Sequence, residues 1–415
     1  MNIEIRNGRV IDPKNCVDRN TSLFMADGEV AGLGEVPAGF VADKTIDATG
    51  CVVCPGLIDL GARLNSIEAE LAAAVAGGVT SVVVPPDADP PLDEPELADR
   101  LVHRGKEIGK ARVLPLGALT LGLNGERLAE LAGLKKAGCV AFSQANKPVV
   151  DTEALLRAME YAATFDFAVW LQPQDYWLSR NGIAHEGEVA NRLGLAGISV
   201  AAETIAIATI VQLARDTGCR VHLTRLSSAA GVALARQAMD EGLPVSFDIG
   251  VHHLLLTEND IGFFNPHARF CPPLRAQNDR QALSTAAGSG LAAICSDHTP
   301  VGADDKLLPF GEAKPGATGL EVLLPLTLKW AEAAGVALPQ ALERITAAPA
   351  AVLGLPSGQL AVGTTADVCI FDPQAIWQLT PEALKSRGKN SPWQGYMMTG
   401  KVRTTLVGGR VVYSA

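Results

Sequence analysis

The residues able to carry chemistry in this sequence form a few short clusters. Asp297-His298 sets a carboxyl beside an imidazole, the pairing needed for general acid/base proton transfer near neutral pH. His252-His253 adds two imidazoles, and Asp59, Gly61, Arg63, Asp87, Gln144, Gln172 and Arg225 follow short apolar runs. A metal centre needs several imidazole, carboxylate or thiolate donors converging from separate elements. Taken in chain order, these positions make a polar set that is poor in such donors. Cys51-Val52-Val53-Cys54 has the spacing of half a zinc site, but its β-branched interior reads as a strand and no second cysteine pair completes it.

The elements that must position these residues alternate. Strand-like runs occur at 57–60, 81–85, 113–119, 139–143, 168–171, 221–226, 245–249 and 291–296. Between them, segments 70–76, 94–108, 127–136, 153–163, 205–217, 229–241 and 280–287 repeat apolar residues at helical spacing. Such alternation implies parallel strands with crossover helices. Eight strands within roughly 240 residues match an α/β fold of the (β/α)₈ barrel type, whose chemistry gathers at the carboxyl ends of the strands. The two ends of the chain read differently. Residues 1–52 and 355–415 carry short strands with turns such as Asn7-Gly8, Asp27-Gly28 and Gly408-Gly409, so they are expected to pair into one small discontinuous β-sandwich beside a barrel spanning 53–354.

Composition removes other classes. The 415 residues are 48% hydrophobic and 19% charged, too apolar for disorder, and longer than the roughly 250–300 residues at which single cores stop growing. Lys+Arg 35 against Asp+Glu 45 gives a net charge of −10, which argues against nucleic acid or an anionic membrane as partner. Eight cysteines, mostly inside apolar runs, do not make a disulfide scaffold. With no targeting pattern at Met1–Arg6 and no run of about 18 apolar residues, the chain is expected in the cytoplasm.

Longer motifs then stand in register: Pro55-Gly56-Leu57-Ile58-Asp59-Leu60, Ala76-Gly77-Gly78-Val79-Thr80, His222 to Ser228, His252 to Glu258, Cys271-Pro272-Pro273-Leu274-Arg275, Ser296-Asp297-His298-Thr299-Pro300, Gly316 to Glu321 and Gly363 to Asp367. Their order and spacing resemble dihydroorotases of the amidohydrolase superfamily across nearly the whole chain. The resemblance implies a barrel with a β-sandwich. In working members it also implies a zinc pair that lowers the pKa of a bridging water and polarises the ring amide of dihydroorotate.

Set against that pattern, the two histidines expected after Asp59 are Gly61 and Arg63. The bridging carboxylate is Gln144, the strand-five histidine Gln172 and the strand-six histidine Arg225. Only Asp297, ligand and general base in the resemblance, remains, with His298 beside it as a vestige. The substrate-holding positions are Asn65, Asp87, Cys271 and Val301, so an anion pocket loses its cation and gains a carboxylate. Zinc is therefore not expected, and Arg63 and Arg225 are expected to enter the vacated cavity and neutralise Asp297.

The missing ligands resemble those of the inactive dihydroorotase-like subunit that some bacteria pair with aspartate transcarbamoylase. That resemblance implies a noncatalytic assembly subunit of pyrimidine biosynthesis, a homo- or hetero-oligomer whose partner is the transcarbamoylase catalytic subunit. The alternative is a divergent cyclic amidohydrolase, mononuclear or metal-free, hydrolysing a C–N amide bond with Asp297 and His298; a small-molecule sensor is the weaker third. His222, His252 and His253 are expected as satisfied core histidines, and His103, His185 and His267 on the surface or in loops. Asp304-Asp305-Lys306 should lie on a solvated loop, and Trp393, Tyr396 and Met397-Met398 should mostly fill core.

Overall fold

The computed structural model describes residues 1–415. Eight strands, Leu57–Asp59, Val79–Val84, Arg112–Ala118, Ala141–Ser143, Ala168–Leu171, Arg220–Leu223, Val245–Gly250 and Ala293–Cys295, lie side by side in sequence order, all parallel. Helices cover the outer face of this sheet and the barrel core fills its inner one, and Val79–Val84 is buried at every position, Thr80 and Ser81 included. The sheet closes through the residues that follow its first and last strands. His298 bridges Ala62 in parallel; the His298 N–H donates to the Gly61 carbonyl (3.1 Å) and the Arg63 N–H to the His298 carbonyl (2.9 Å). Leu60, Val83, Leu116, Ala141, Trp170, Ala293 and Cys295 form one buried cluster contributed by six strands or their immediate ends, so the barrel is a packed core.

Crossover helices begin where side chains satisfy their free N–H groups. Asp151 accepts from the Glu153 and Ala154 N–H groups to start Thr152–Thr164, and Ser228 accepts from Gly231 to start Ala229–Asp240. The helix expected from residue 205 starts at Val200 because Ser199 accepts from the Ala201 N–H, and it ends where Gly218 takes φ +70°. The segment expected as helix from 127 becomes helical only over Leu131–Lys136, since residues 127–129 return their main chain to the third strand's exit: the Leu121 N–H donates to the Arg127 carbonyl and the Ala129 N–H to the Leu119 carbonyl.

The termini pair as expected. Glu29–Leu33, Leu23–Ala26, Ile3–Arg6 and Lys44–Asp47 make one sheet, while Arg410–Ser414, Met397–Val407, Val368–Gln378, Val52–Pro55, Arg9–Asp12 and Val17–Asn20 make a second. Ile3, Ile5, Val10, Leu23, Val53, Val368 and Ile370 belong to a separate small core. The chain stays in this second sheet through Pro55, past the expected 52/53 boundary, because Val52–Pro55 runs antiparallel to Val368–Phe371. Cys54 therefore faces Cys369 across two strands, and the Cys51–Cys54 spacing belongs to a sheet.

Trp170 is 1% exposed at the centre of the barrel and its ring lies 4.4 Å from that of His222. Trp170→Ala should destabilise the protein by about 3–5 kcal/mol through lost burial and an unfilled cavity. Urea unfolding followed by near-UV circular dichroism measures this, and a loss below about 1 kcal/mol would contradict a close-packed interior.

Candidate functional site

The carboxyl ends of the strands converge on Arg225. Its Nη1 donates to Asp297 Oδ1 (3.0 Å) and to the Cys271 carbonyl (3.1 Å), and its Nη2 donates to Gln172 Oε1 (3.1 Å) and Asn146 Oδ1 (2.5 Å). Its main-chain N–H donates to Asp248 Oδ1 (2.8 Å). One guanidinium thus joins the exits of strands four, five, six and eight to the 271 loop. Burial works against its charge, yet Asp297 and the neighbouring Cys271, Cys295 and Asp248 hold its pKa above the ordinary arginine value. The strand expected to run to 226 stops at Leu223, and both members of the ion pair adopt left-handed backbone, Arg225 at φ +54° and Asp297 at φ +46°. Outside glycine such conformations cost about 1–3 kcal/mol and persist where surrounding contacts enforce them.

Arg63 does not share this task, contrary to expectation. Its Nε and Nη2 donate to Asp87 Oδ2 (3.0 and 2.8 Å) and its Nη1 to Thr299 Oγ1 (3.0 Å). Asp87 lies on the loop leaving the neighbouring second strand, within reach of the side chain, whereas Asp297 is already held by Arg225. The expected electrostatic rejection of anions by Asp87 is corrected for the same reason, because Arg63 neutralises that carboxylate. Gln144 faces Thr120, with Nε2 donating to its hydroxyl (2.8 Å). Asn65 Nδ2 donates to the Pro300 carbonyl, Val301 offers its main-chain N–H to Asn390, and Cys271 contributes its carbonyl. Between Gly61, Arg63, Arg225 and Asp297 the remaining cavity is about 30 Å³, room for about one water.

His298 also departs from the proton-transfer pairing. Its Nδ1 accepts from the Gly319 N–H (3.0 Å) and lies 3.3 Å from the Leu320 N–H, so the proton belongs on Nε2, which donates to Glu70 Oε2 (3.0 Å). The ring is 1% exposed and bound on both sides, away from the Asp297 carboxylate. His222 is satisfied, its Nδ1 at Ser246 Oγ and its Nε2 at Asp248 Oδ2. His252 and His253 are buried but only half satisfied. His252 Nδ1 accepts from Trp393 Nε1 and His253 Nε2 donates to the Pro272 carbonyl, while His252 Nε2 and His253 Nδ1 lack partners. Burial pushes His252 down to about 3, helped by the neighbouring imidazoles, and also lowers His253.

Two other expectations need correction. His185 is buried, with its Nδ1 3.1 Å from Arg275 Nη1, where Arg275 also donates to Ser227 Oγ. Lys306 is 5% exposed and donates to the Pro266 carbonyl, although its neighbour Asp304 is exposed, because the loop folds back over 266–269. Trp393 and Met398 fill core while Tyr396 and Met397 are exposed. Glu70 and Glu203, the latter accepting from Ser227 and Ser228, were missed; Glu70 is buried while Glu68 on the same helix is exposed, so residue type alone gave no signal.

The donor set does not fit a zinc pair. Asp297 is engaged by a guanidinium, the other five expected positions supply glycine, arginine or amide side chains, and no three His, Cys, Asp or Glu residues gather where they could hold a metal ion.

Comparison with known proteins agrees with this architecture. L-hydantoinase from Arthrobacter aurescens superposes with a TM-score of 0.88 over 99% of this chain and 96% of its own at 24% identity, and a D-hydantoinase from Thermus gives 0.84. The shared fold is the parallel barrel with its β-sandwich. Residues 50–230 match the dihydro-orotase-like family model. A dihydroorotase-like protein of Pseudomonas putida is 44% identical over 100% of this chain and 99% of its own length, and a dihydroorotase of Syntrophotalea carbinolica is 39% identical over the same shares. The chain belongs to the dihydroorotase-like family.

Arg225→Met leaves Asp297 as a buried charge without its partner, and should cost about 3–5 kcal/mol. The double variant Arg225→Met/Asp297→Leu should recover most of that loss in urea unfolding; equal losses would show that the pair is not the unit. For His252, an unfolded pKa near 6.5 falls to about 3 on folding, so the neutral ring contributes full stability above about pH 6.5 and loses it as pH falls toward 3. Between pH 6.5 and 5 the unfolding free energy should drop more steeply in the wild type than in His252→Gln, by about 1.4 kcal/mol per pH unit at the limit.

Proposed function

We propose that this chain is a noncatalytic dihydroorotase-like subunit that assembles or stabilises aspartate transcarbamoylase in the cytoplasm, and that it carries no zinc pair. The observation that carries this reading is the buried Arg225–Asp297 ion pair. It places a fixed positive charge on the one carboxylate left from the expected metal-binding set. A guanidinium does not deprotonate, so it neither ligates a cation nor leaves Asp297 free as a general base. The full-length similarity to a protein named dihydroorotase-like supports the same direction.

A divergent cyclic amidohydrolase using Asp297 and His298 is less well supported. Asp297 is neutralised, His298 is committed to Glu70 and the Gly319 N–H, and a cavity of about 30 Å³ has no room for a dihydropyrimidine ring.

Elemental analysis of protein purified in zinc-containing medium should give far less than one zinc per chain, with no hydrolysis of dihydroorotate. Mixing with the aspartate transcarbamoylase of the same organism should give one large hetero-oligomer by size-exclusion chromatography with light scattering. Stoichiometric zinc with turnover, or two independent peaks at micromolar concentration, would remove this reading.

A further inference from the structure

The loop leaving strand four and the short helix Tyr176–Ser179 after strand five bound a cavity of about 120 Å³ beside Arg225 but outside the barrel. Its walls include Val150, Leu155, Leu171, Trp177, Ile205 and Ile210. Leu155, Leu171 and Ile210 are buried, whereas Val150 is 51%, Ile205 48% and Trp177 62% exposed. Gln144, Gln172, Gln174, Thr152 and Thr209 give the cavity a polar side as well, and an apolar hole of about 150 Å³ admits benzene, so the apolar side of this one fits a single branched aliphatic side chain. Asp175 accepts from the Leu178 N–H (2.9 Å) and sets the short helix, and the Arg180 guanidinium stacks 4.5 Å over the Trp177 ring.

The rim carries charge of one sign more than the other. Lys147 lines the cavity and Arg180 lies over its aromatic wall; both are exposed and neither forms an ion pair, while Asp175 is committed as a helix cap. Unlike Arg104, Arg157 and Arg215, which are ion-paired, these two cations have no carboxylate of this chain to meet. Complementary charge steers and registers a partner, and a buried apolar or aromatic anchor supplies the binding energy.

We infer that this cleft seats a segment of the partner protein in which one aliphatic side chain is flanked by carboxylates, the side chain filling the hole and the carboxylates meeting Lys147 and Arg180. The inference rests on the assembly reading above and gives that assembly a surface. The same barrel end continues to the loop bearing Phe263, 91% exposed, and the one bearing Leu307, 81% exposed. Arg269 donates to the Gly311 carbonyl between those two loops, so they hold one another in place.

The test uses the full chain with the transcarbamoylase of the same organism. Lys147→Glu/Arg180→Glu and, separately, Ile205→Asp should each weaken the complex at least tenfold in titrations read by light scattering, with far-UV circular dichroism and melting temperature unchanged. Val41→Asp, on the terminal domain and 74% exposed, should leave affinity unchanged. Tryptophan emission should shift to the blue on complex formation with wild type and not with Trp177→Phe. A wild-type complex that survives both cleft variants at full affinity overturns the cleft and leaves the assembly reading standing. Failure of the wild type itself to form a complex overturns both.

Discussion

A guanidinium buried among strand ends has to be surrounded by acceptors, and much of the barrel mouth follows from meeting that demand at Arg225. Desolvating a charge costs several kcal/mol, and one carboxylate recovers it only if the remaining N–H groups are also bonded. Asp297 supplies the charge; the Cys271 carbonyl, Gln172 and Asn146 supply the rest. Each acceptor comes from a different segment, so meeting the demand also fixes those segments relative to one another. The left-handed backbone at Arg225 and Asp297 shows that the chain bends to bring the two together.

The same logic extends around the ring. Asp87 is held by Arg63, Glu70 by His298, Asp248 by His222, and Asp59 accepts from the Ser296 N–H and hydroxyl, so that each of these four carboxylates has a named donor. His298 links this layer to the fold itself, because its main chain closes the barrel while its ring joins Glu70 to the Gly319 turn. In a barrel enzyme these strand ends open into a chamber for substrate. Here they make a nearly solid polar layer, and space for another molecule lies to the side, between the loop after strand four and the helix after strand five.

Fold stability uses the inward layer, where Trp170 and its neighbours are closed from water. Exposed apolar and aromatic side chains lie on the outer loops, where Tyr176, Trp177, Phe263 and Leu307 face solvent at the same end of the molecule. Fold likeness to hydantoinases therefore describes the scaffold and not the chemistry, since function resides in the side chains carried at the strand ends.

Much of this was written in local pattern. Short apolar runs such as Ala168–Leu171 marked the parallel strands, helical spacing marked the crossovers, and turn dipeptides marked the terminal sheets, because these signals depend on neighbours a few residues away. Residue type alone also put glycine, arginine or amide side chains at Gly61, Arg63, Gln144, Gln172 and Arg225, where the resemblance leads one to expect metal ligands. Pairing was another matter. Whether Arg63 or Arg225 reached Asp297, whether His298 faced its neighbour or Glu70, and whether Lys306 met solvent or the Pro266 carbonyl depended on groups distant in sequence. Side-chain direction at a strand end is set by a left-handed turn or a closing hydrogen bond, and both exist only once eight strands have been brought into one ring.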